Sequence, residues 1–499
     1  MTDNTTTETY AAIDLGSNSF HMIVANYSND NLQIIDRIKE MNRLAAGLDH
    51  ENRLSEAAMN TAISCLQRFG QRIREIPTLQ VRAVGTNTLR KAKNSEAFLE
   101  RANAALGHPI EIIAGREEAR LIYQGVTNTI YNRDEQRLVV DIGGGSTELI
   151  IGRGPEPLLL ESLYMGCVNL TRNYFSDGEI SAKRMRHAIL FARQELELIE
   201  NIYRQSGWNT VVGSSGTILC INEILRAQGW SDNAISNTGL NRLKEELIRL
   251  GHSDALRFVE LPESRRPVFA GGVAILCAVF EGLVIDQMQV SEGALREGLL
   301  HDLIGRRHDR DIRDRSIEAM MIRYGVDQPH ARHTRETARI LFQQVAEDWR
   351  LHADPDLKLL SWAALVHEIG ISVAHAQHHK HAAYLVTHSD LAGFSCQEQQ
   401  IMALLVRAHR RKFPMEELAL IPALERNHIF LLCILLRLSV VLNRSRSISA
   451  LPGIRLSAGE LEGSLEFPGE WLRKHPLTQA DLELEAEFLS AAGFRLTLS

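Results

Sequence analysis

Three short segments rich in Gly, Ser and Thr each follow a run of apolar residues that reads as a strand. Gly16, Ser17, Asn18 and Ser19 come after Asp14. Gly143, Gly144, Gly145, Ser146 and Thr147 come after Asp141 and before Glu148. Ser214, Ser215 and Gly216 lie inside VVGSSGT, residues 211–217. Glycine permits positive φ and puts no side chain between the backbone N–H groups and a ligand. Successive N–H groups in such a turn form an anion nest, and hydroxyls add donors. The leading Asp of the first two segments is a ligand for hydrated Mg²⁺. The third opens a helix, whose N-terminus favours anions. One such turn alone is an ordinary hairpin; two related turns, each led by Asp, read as a pair of phosphate loops.

The two turns are related by more than composition. Residues 14–23 (DLGSNSFHMI) align without gaps on residues 141–150 (DIGGGSTELI), with four identities in ten. Both lie at a strand–turn–strand step of the same larger pattern, as an internal duplication requires. Glu117 and Glu118 open a helix that leads from one copy to the next. Acidic residues suit a first helical turn for macrodipole reasons alone, but a carboxylate placed there can face a cleft and activate water. Arg90, after the strand at residues 81–85, can neutralise phosphate.

These residues need a frame. Strands at 10–15, 20–26 and 32–39, a helix at 55–76 with Ser55 as N-cap, a strand at 81–85, a helix at 95–106, a strand at 110–114 and a helix from 116 give the order βββαβαβα. Strands at 138–142, 148–152 and 158–164, a helix at 181–204, a strand at 210–213 and a helix after 216 repeat the plan. Residues 306–315 (RRHDRDIRDR) hold five Arg and three Asp and read as a solvated linker. Beyond it the pattern turns helical, and residues 330–409 hold ten of the 19 histidines. After residue 452 short strands and one helix return. The division expected is 1–125, 126–305, 306–450 and 451–499.

Composition limits the function. Of 499 residues, 55 are Lys or Arg and 62 Asp or Glu, a net charge of −7, so no broad basic coat for nucleic acid exists. The six cysteines show no metal or disulfide spacing and fit a reducing cytoplasm. No signal peptide is expected, and the longest apolar run, residues 268–280, is too short to span a bilayer.

Taken together, YAAIDLGSNSFHMIVA, VGTNTLR, IEIIAGREEARLIYQGV, VVDIGGGSTELIIG, MGCVNL, VVGSSGT and SEGALREGLL resemble the exopolyphosphatase / guanosine pentaphosphate phosphatase family, from about residue 10 to beyond 440. The resemblance implies an α/β fold of two actin-like (ribonuclease-H-like) lobes, then an all-α HD-like domain and a small α+β C-terminal domain. It implies that Glu118 is the catalytic acid, that Arg90 binds phosphate, and that Asp141, Gly143, Gly144, Gly145, Ser146 and Glu148 form the magnesium and phosphate site. Processive hydrolysis of inorganic polyphosphate is the leading expectation, with pppGpp 5′-phosphatase as the alternative and a sugar or acid kinase as a third. Mg²⁺ is the expected cofactor. A cytoplasmic homodimer, with peripheral contact at the inner face of the membrane and no specific nucleic acid, is expected.

In the helical part, an HD-type metal site needs His, a His-Asp pair and a later Asp. Here His333 stands first, the pair reads His367-Glu368, and the last position falls near Val440, so no tightly bound transition metal is expected. Arg407, Arg410, Arg411 and Lys412 form the one dense basic run and are expected to serve as a polyphosphate track.

Overall fold

The computed structural model describes residues 7–28, 31–129, 135–307, 311–446 and 452–499. The chain divides into two units, Met1–Asp311 and Ile312–Ser499. Parts of the charged segment at 306–315 lie outside the described residues.

In the first unit, β1 (Glu8–Leu15), β2 (Ser19–Ser28) and β3 (Asn31–Met41) form an antiparallel meander. α1 (Glu56–Ile73), β4 (Val81–Gly85), α2 (Asn87–Lys91), α3 (Ser95–Leu106), β5 (Ile110–Ile112) and α4 (Gly115–Thr127) follow. β4 and β5 add parallel to β1, giving the order 3-2-1-4-5. The second lobe repeats this. β6 (Gln136–Ile142), β7 (Thr147–Arg153) and β8 (Glu156–Leu163) are its meander, followed by α5 (Cys167–Tyr174), α6 (Ala182–Ser206), β9 (Thr210–Ser214) and α7 (Ser215–Ala227). Then come β10 (Ile235–Ser236), α8 (Asn237–Leu250), α9 (Phe269–Leu283), β11 (Gln287–Val290) and α10 (Leu295–Arg307). The strand order is 10-11-9-6-7-8, so β8 to β6, β9 and β11 match β3 to β1, β4 and β5. The register matches too: Asp14 faces His21 across β1–β2, and Asp141 faces Glu148 across β6–β7. This is the duplicated actin-like plan.

The apolar pattern follows from sheets covered on both faces. Ala11, Ile13 and Leu15 of β1 pack with α1 and α3, while Tyr10 and Ala12 pack with α4 and α10. The latter core also holds Val139, Ile150 and Val212 of the second sheet, so α4 and α10 are shared by the two lobes. Side chains alternate along a strand. Parity therefore puts Asp14 on the face of Tyr10 and Ala12, and Asp141 on that of Val139. α4 and α10 pack almost backbone to backbone, since a Cβ on Gly298 would lie 1.8 Å from the Leu121 carbonyl oxygen. α9 holds all but the first residue of the apolar run at 268–280. Residues 266–283 are long and apolar enough to cross a membrane, but 78% of that stretch is buried in this lobe's core.

The second unit comprises α11 (Ile312–Arg323), α12 (Gln328–Val345), α13 (Lys358–Val366), α14 (His378–His388), α15 (Cys396–Ala408), α16 (Met415–Ala419) and α17 (Ala423–Leu442). A three-stranded sheet of β12 (Arg455–Ala458), β13 (Glu462–Glu466) and β14 (Arg495–Leu498) follows, with α18 (Trp471–Lys474) and α19 (Pro476–Ala491) between its last two strands. One continuous core runs from Ile317 through the helices to Phe494 and Leu496. Arg437 of α17 is fully buried and pairs with Glu485 of α19, with one contact at 3.1 Å.

Ser55 caps α1 and Ser181 caps α6 through their hydroxyls. β5 is shorter than the 110–114 strand expected. α2, β10 and β11 were not expected; each is five residues or fewer, too short to show a period.

Candidate active site

A cleft of about 380 Å³ in the first unit is lined by Asp14, Glu118, Asp141 and Glu148, and by both duplicated turns. Gly16, Ser17, Asn18 and Ser19 face it from one lobe, Gly143, Gly144, Gly145 and Ser146 from the other, and Ser215 and Gly216 from the start of α7. The two turns touch. A Cβ on Gly144 would sit 3.1 Å from the Ser17 Cβ and 3.4 Å from a Val168 methyl. The Gly144 carbonyl accepts from Val168 N at 2.9 Å, and Thr88 Oγ1 donates to Ser17 Oγ at 2.8 Å.

The structure corrects the reason given for the glycines. None of Gly16, Gly143, Gly144 and Gly145 has positive φ. Gly144 and Gly145 are small because the other lobe's Ser17 stands against them, and Gly16 and Gly143 because a Cβ would crowd the Ser19 and Ser146 carbonyls of their own turns. The left-handed residue is Ser215, at φ 85°. A non-glycine residue held there costs about 1–3 kcal/mol, and such strain clusters at functional sites. Beside it, a Cβ on Gly216 would lie 1.9 Å from a guanidinium nitrogen of Arg265, so glycine lets that cation rest on the α7 N-terminus.

Two expected hydroxyl donors to phosphate stand outside the cleft lining. Thr147 is fully buried, and its hydroxyl donates to the Met165 carbonyl. Ser214 is also buried, and its one proton is shared between the Gly293 carbonyl, at 2.9 Å, and Asp141. A hydroxyl so engaged has no proton left for phosphate.

The carboxylates are crowded and dry. Burial, then Glu118, pushes Asp14 up to about 7, with Arg296 opposing. Burial, with Glu118 adding to it, pushes Asp141 up to about 6 against the Ser214 hydrogen bond. Burial, then Glu118 and Asp141, holds Glu148 well above the ordinary range. Asp14 Oδ1 is buried without a hydrogen-bond partner. An orphaned carboxylate oxygen among other acids fits a hard divalent cation. Ligand atoms of these acids do not form a trio within 4.8 Å of one another. That spacing suits Mg²⁺ that keeps several of its waters.

Glu118 and Glu117 part company. Glu117 turns into a buried ion cluster, where Arg120 grips it at 2.7 and 2.8 Å. Asp302 of α10 takes Arg82 at 2.6 Å and Arg120 at 2.5 Å. This cluster fixes the rotation of α4 and leaves Glu118 toward the cleft. Burial raises the Glu118 carboxyl, and Arg90, donating to Oε2 at 2.9 Å, opposes that. Arg90 also donates to the Ile113 carbonyl at 2.7 Å and does not line the cleft. The sequence placed it on phosphate; the structure pairs it with the Glu118 carboxylate.

Sequence reasoning missed the basic wall. Arg37 and Lys39 of β3, Arg265 and Arg296 all line the cleft. Burial, then Arg265 and Arg296, lowers the Lys39 ammonium to about 8. His21 accepts from Arg296 at Nδ1 and sits 2.7 Å from Ser19 Oγ through Nε2. Burial, then Arg296, Lys39 and Arg265, keeps His21 neutral.

Residues 23–307 match the Ppx/GppA phosphatase family, and residues 312–486 match domain III of that family. The chain belongs to the Ppx/GppA phosphatase family. Its members are hydrolases that act on phosphoanhydride bonds. A guanosine-5′-triphosphate,3′-diphosphate pyrophosphatase of Aeromonas hydrophila is 42% identical over 485 residues, 97% of each chain. One of Vibrio vulnificus is 42% identical over 492 residues, 98% of each. The crystal structure of the Aquifex aeolicus family member covers 60% of this chain and 99% of its own, at 26% identity and TM-score 0.52. An exopolyphosphatase structure from Cytophaga hutchinsonii, 24% identical with TM-score 0.55, covers 60% of this chain and 98% of its own and shares the fold.

In domain III, the basic run is less open than expected. Arg411 and Lys412 are exposed. Arg407 lies 3.8 Å from Glu417, and Arg410 leans on the His378 ring at 3.1 Å.

Proposed function

We propose that this family member is a guanosine pentaphosphate 5′-phosphatase: it hydrolyses the terminal anhydride of pppGpp to give ppGpp and orthophosphate, with Mg²⁺, in the cytoplasm. The observation that carries this is similarity across nearly the whole length to pyrophosphatases named for that substrate, at 42% identity over 97% of both chains. The motifs alone put inorganic polyphosphate first; the relatives' names favour the alternative. The basic wall supports it, because pppGpp carries a 3′-diphosphate as well as the reacting triphosphate, and a second cationic patch beside the loops suits that second group.

Glu118 takes the proton of the attacking water while oxygen bonds to the γ-phosphorus and the bond to the β–γ bridging oxygen breaks. The Arg90 hydrogen bond keeps the carboxylate aimed and opposes its protonation. Backbone N–H groups of the two turns hold the γ-phosphate oxygens, and Arg296 and Lys39 add positive charge. Asp14, Asp141 and Glu148 would hold Mg²⁺ through water. The ion supplies neutralisation of the charge that spreads over the phosphoryl oxygens.

The deciding experiment compares phosphate release from pppGpp, long-chain polyphosphate and ATP with Mg²⁺. The expected result is the highest kcat/KM on pppGpp. A higher kcat/KM on polyphosphate would restore the polymer as the substrate.

A further inference from the structure

Domain III gathers imidazoles for which the phosphatase reaction has no task. His330 stands in the first turn of α12, and His367 and Glu368 follow the end of α13. His378 and His379 open α14, and His409 follows α15. The five rings are buried and near one another: centroids are 5.8 Å apart for His330–His367, 5.2 Å for His367–His409 and 5.4 Å for His378–His409. Among the described residues, only His330, His367 and Glu368 form a trio of His, Cys, Asp or Glu whose ligand atoms all lie within 4.8 Å of one another.

The tautomers point the same way. His367 Nδ1 lies 2.8 Å from the Ala364 carbonyl, which accepts only a proton, so Nε2 carries the lone pair. That Nε2 is buried and has no hydrogen-bond partner. A histidine that donates one ring N–H to a carbonyl and leaves its other nitrogen bare is the arrangement a metal ligand adopts. His409 repeats the first half of this, with Nδ1 2.6 Å from the Val406 carbonyl. Glu368 lies 3.8 Å from His330 Nε2 and is held by Arg446 at 2.7 and 2.8 Å. Arg446 also grips Asp327, whose other oxygen accepts from His330 N at 3.2 Å. One arginine thereby fixes both the carboxylate and the start of the helix carrying His330. A carboxylate offers about four lone-pair sites, so Glu368 keeps capacity for an ion.

We infer that this site takes a divalent transition-metal ion, bound by His367 Nε2, an imidazole nitrogen of His330 and a carboxylate oxygen of Glu368. Two imidazoles on one ion at about 2.0–2.1 Å put their ring centres roughly 5 Å apart, so these rings need to close by under about 1 Å. Two nitrogen donors and one oxygen suit Zn²⁺, Fe²⁺ or Mn²⁺ rather than Mg²⁺. An anion does not suit, because the bare Nε2 lone pair repels it. The sequence excluded a metal because Glu368 stands where Asp is expected and Val440 where the last Asp would fall. Glu368 still offers a carboxylate within reach of both imidazoles, and the first ligand is the buried His330 rather than the exposed His333. Val440 offers no ligand, but the trio is complete without it.

The test uses the full chain, stripped with a chelator and reloaded with Zn²⁺, Mn²⁺ or Fe²⁺ under anaerobic, reducing conditions. Elemental analysis after desalting gives stoichiometry, and a competing chelator gives Kd. About one equivalent is expected in the wild type, undisplaced by excess Mg²⁺. His330→Gln and Glu368→Gln should each weaken it by about 100-fold or more, while Asp141→Asn, in the first unit, should leave it unchanged. Near-UV circular dichroism checks that each variant is folded, and either variant alone suffices. No retained equivalent of any of the three metals overturns the inference. So does an equivalent that survives in the folded variants.

Discussion

Arg90 Nη1 donates to Glu118 Oε2 at 2.9 Å and to the Ile113 carbonyl at 2.7 Å, so one nitrogen ties α2, the end of the β5 segment and α4 together at the carboxylate. Burial raises the Glu118 carboxyl toward its protonated form, and a protonated acid cannot take a proton from water. The guanidinium opposes that rise.

Glu118→Gln is expected to lower kcat by about 10²–10⁴-fold with substrate binding retained. Glu117→Gln should behave differently. It removes one partner of a buried ion cluster, a change that costs about 3–5 kcal/mol of stability. Steady-state kinetics beside thermal melts separate the two, and wild-type kcat in Glu118→Gln would remove the assignment.

Arg90→Met removes the group that lowers the Glu118 carboxyl. The carboxyl then titrates higher, so the acid limb of the kcat profile should move to higher pH. A raised KM with an unmoved limb would return Arg90 to phosphate binding.

Gly144→Val places methyl groups where Ser17 and Val168 already stand. Activity should fall by at least about 10²-fold, the scale of a roughly 1 Å misplacement at a reacting centre. Circular dichroism should stay near wild type.

Asp14 is held up to about 7 and Asp141 to about 6, both from 3.8. A carboxyl raised by folding adds stability while protonated, below about pH 4, and loses it as pH rises through 6 and 7. At pH 8 the metal-free cleft holds ionised acids against one another. Saturating Mg²⁺ should therefore raise Tm by about 5 °C at pH 8 and far less at pH 5. Equal shifts at both pH values would place the ion elsewhere, and Asp141→Asn should shrink the pH 8 shift.

The duplicated turns were legible because each copy keeps its Asp, its Gly and its Ser, and Glu118 because of where its helix sits between the copies. The basic wall was not. Arg37 and Lys39 come from β3, Arg265 from the segment before α9 and Arg296 from α10, and each looks locally like an ordinary surface cation. Only the closure of the two lobes brings them to one cleft. Thr147 and Ser214 failed the other way: their residue types suit phosphate, but the sheet turns their hydroxyls toward carbonyls. In domain III the His-Glu pair was read correctly as a departure from His-Asp, yet no periodicity could say which of His330 and His333 would turn inward.

The equivalence of Asp14–His21 with Asp141–Glu148 has a directional consequence. The two copies kept the aspartate and diverged at its cross-strand partner, one to a neutral imidazole backed by Arg296, the other to an acid. Twofold repetition of the backbone thus does not produce a twofold field. A row of phosphates entering such a cleft has a head and a tail. One turn offers its aspartate beside an acid and the other offers it beside a neutral imidazole backed by Arg296, so end-for-end reversal of the same molecule is a different ligand.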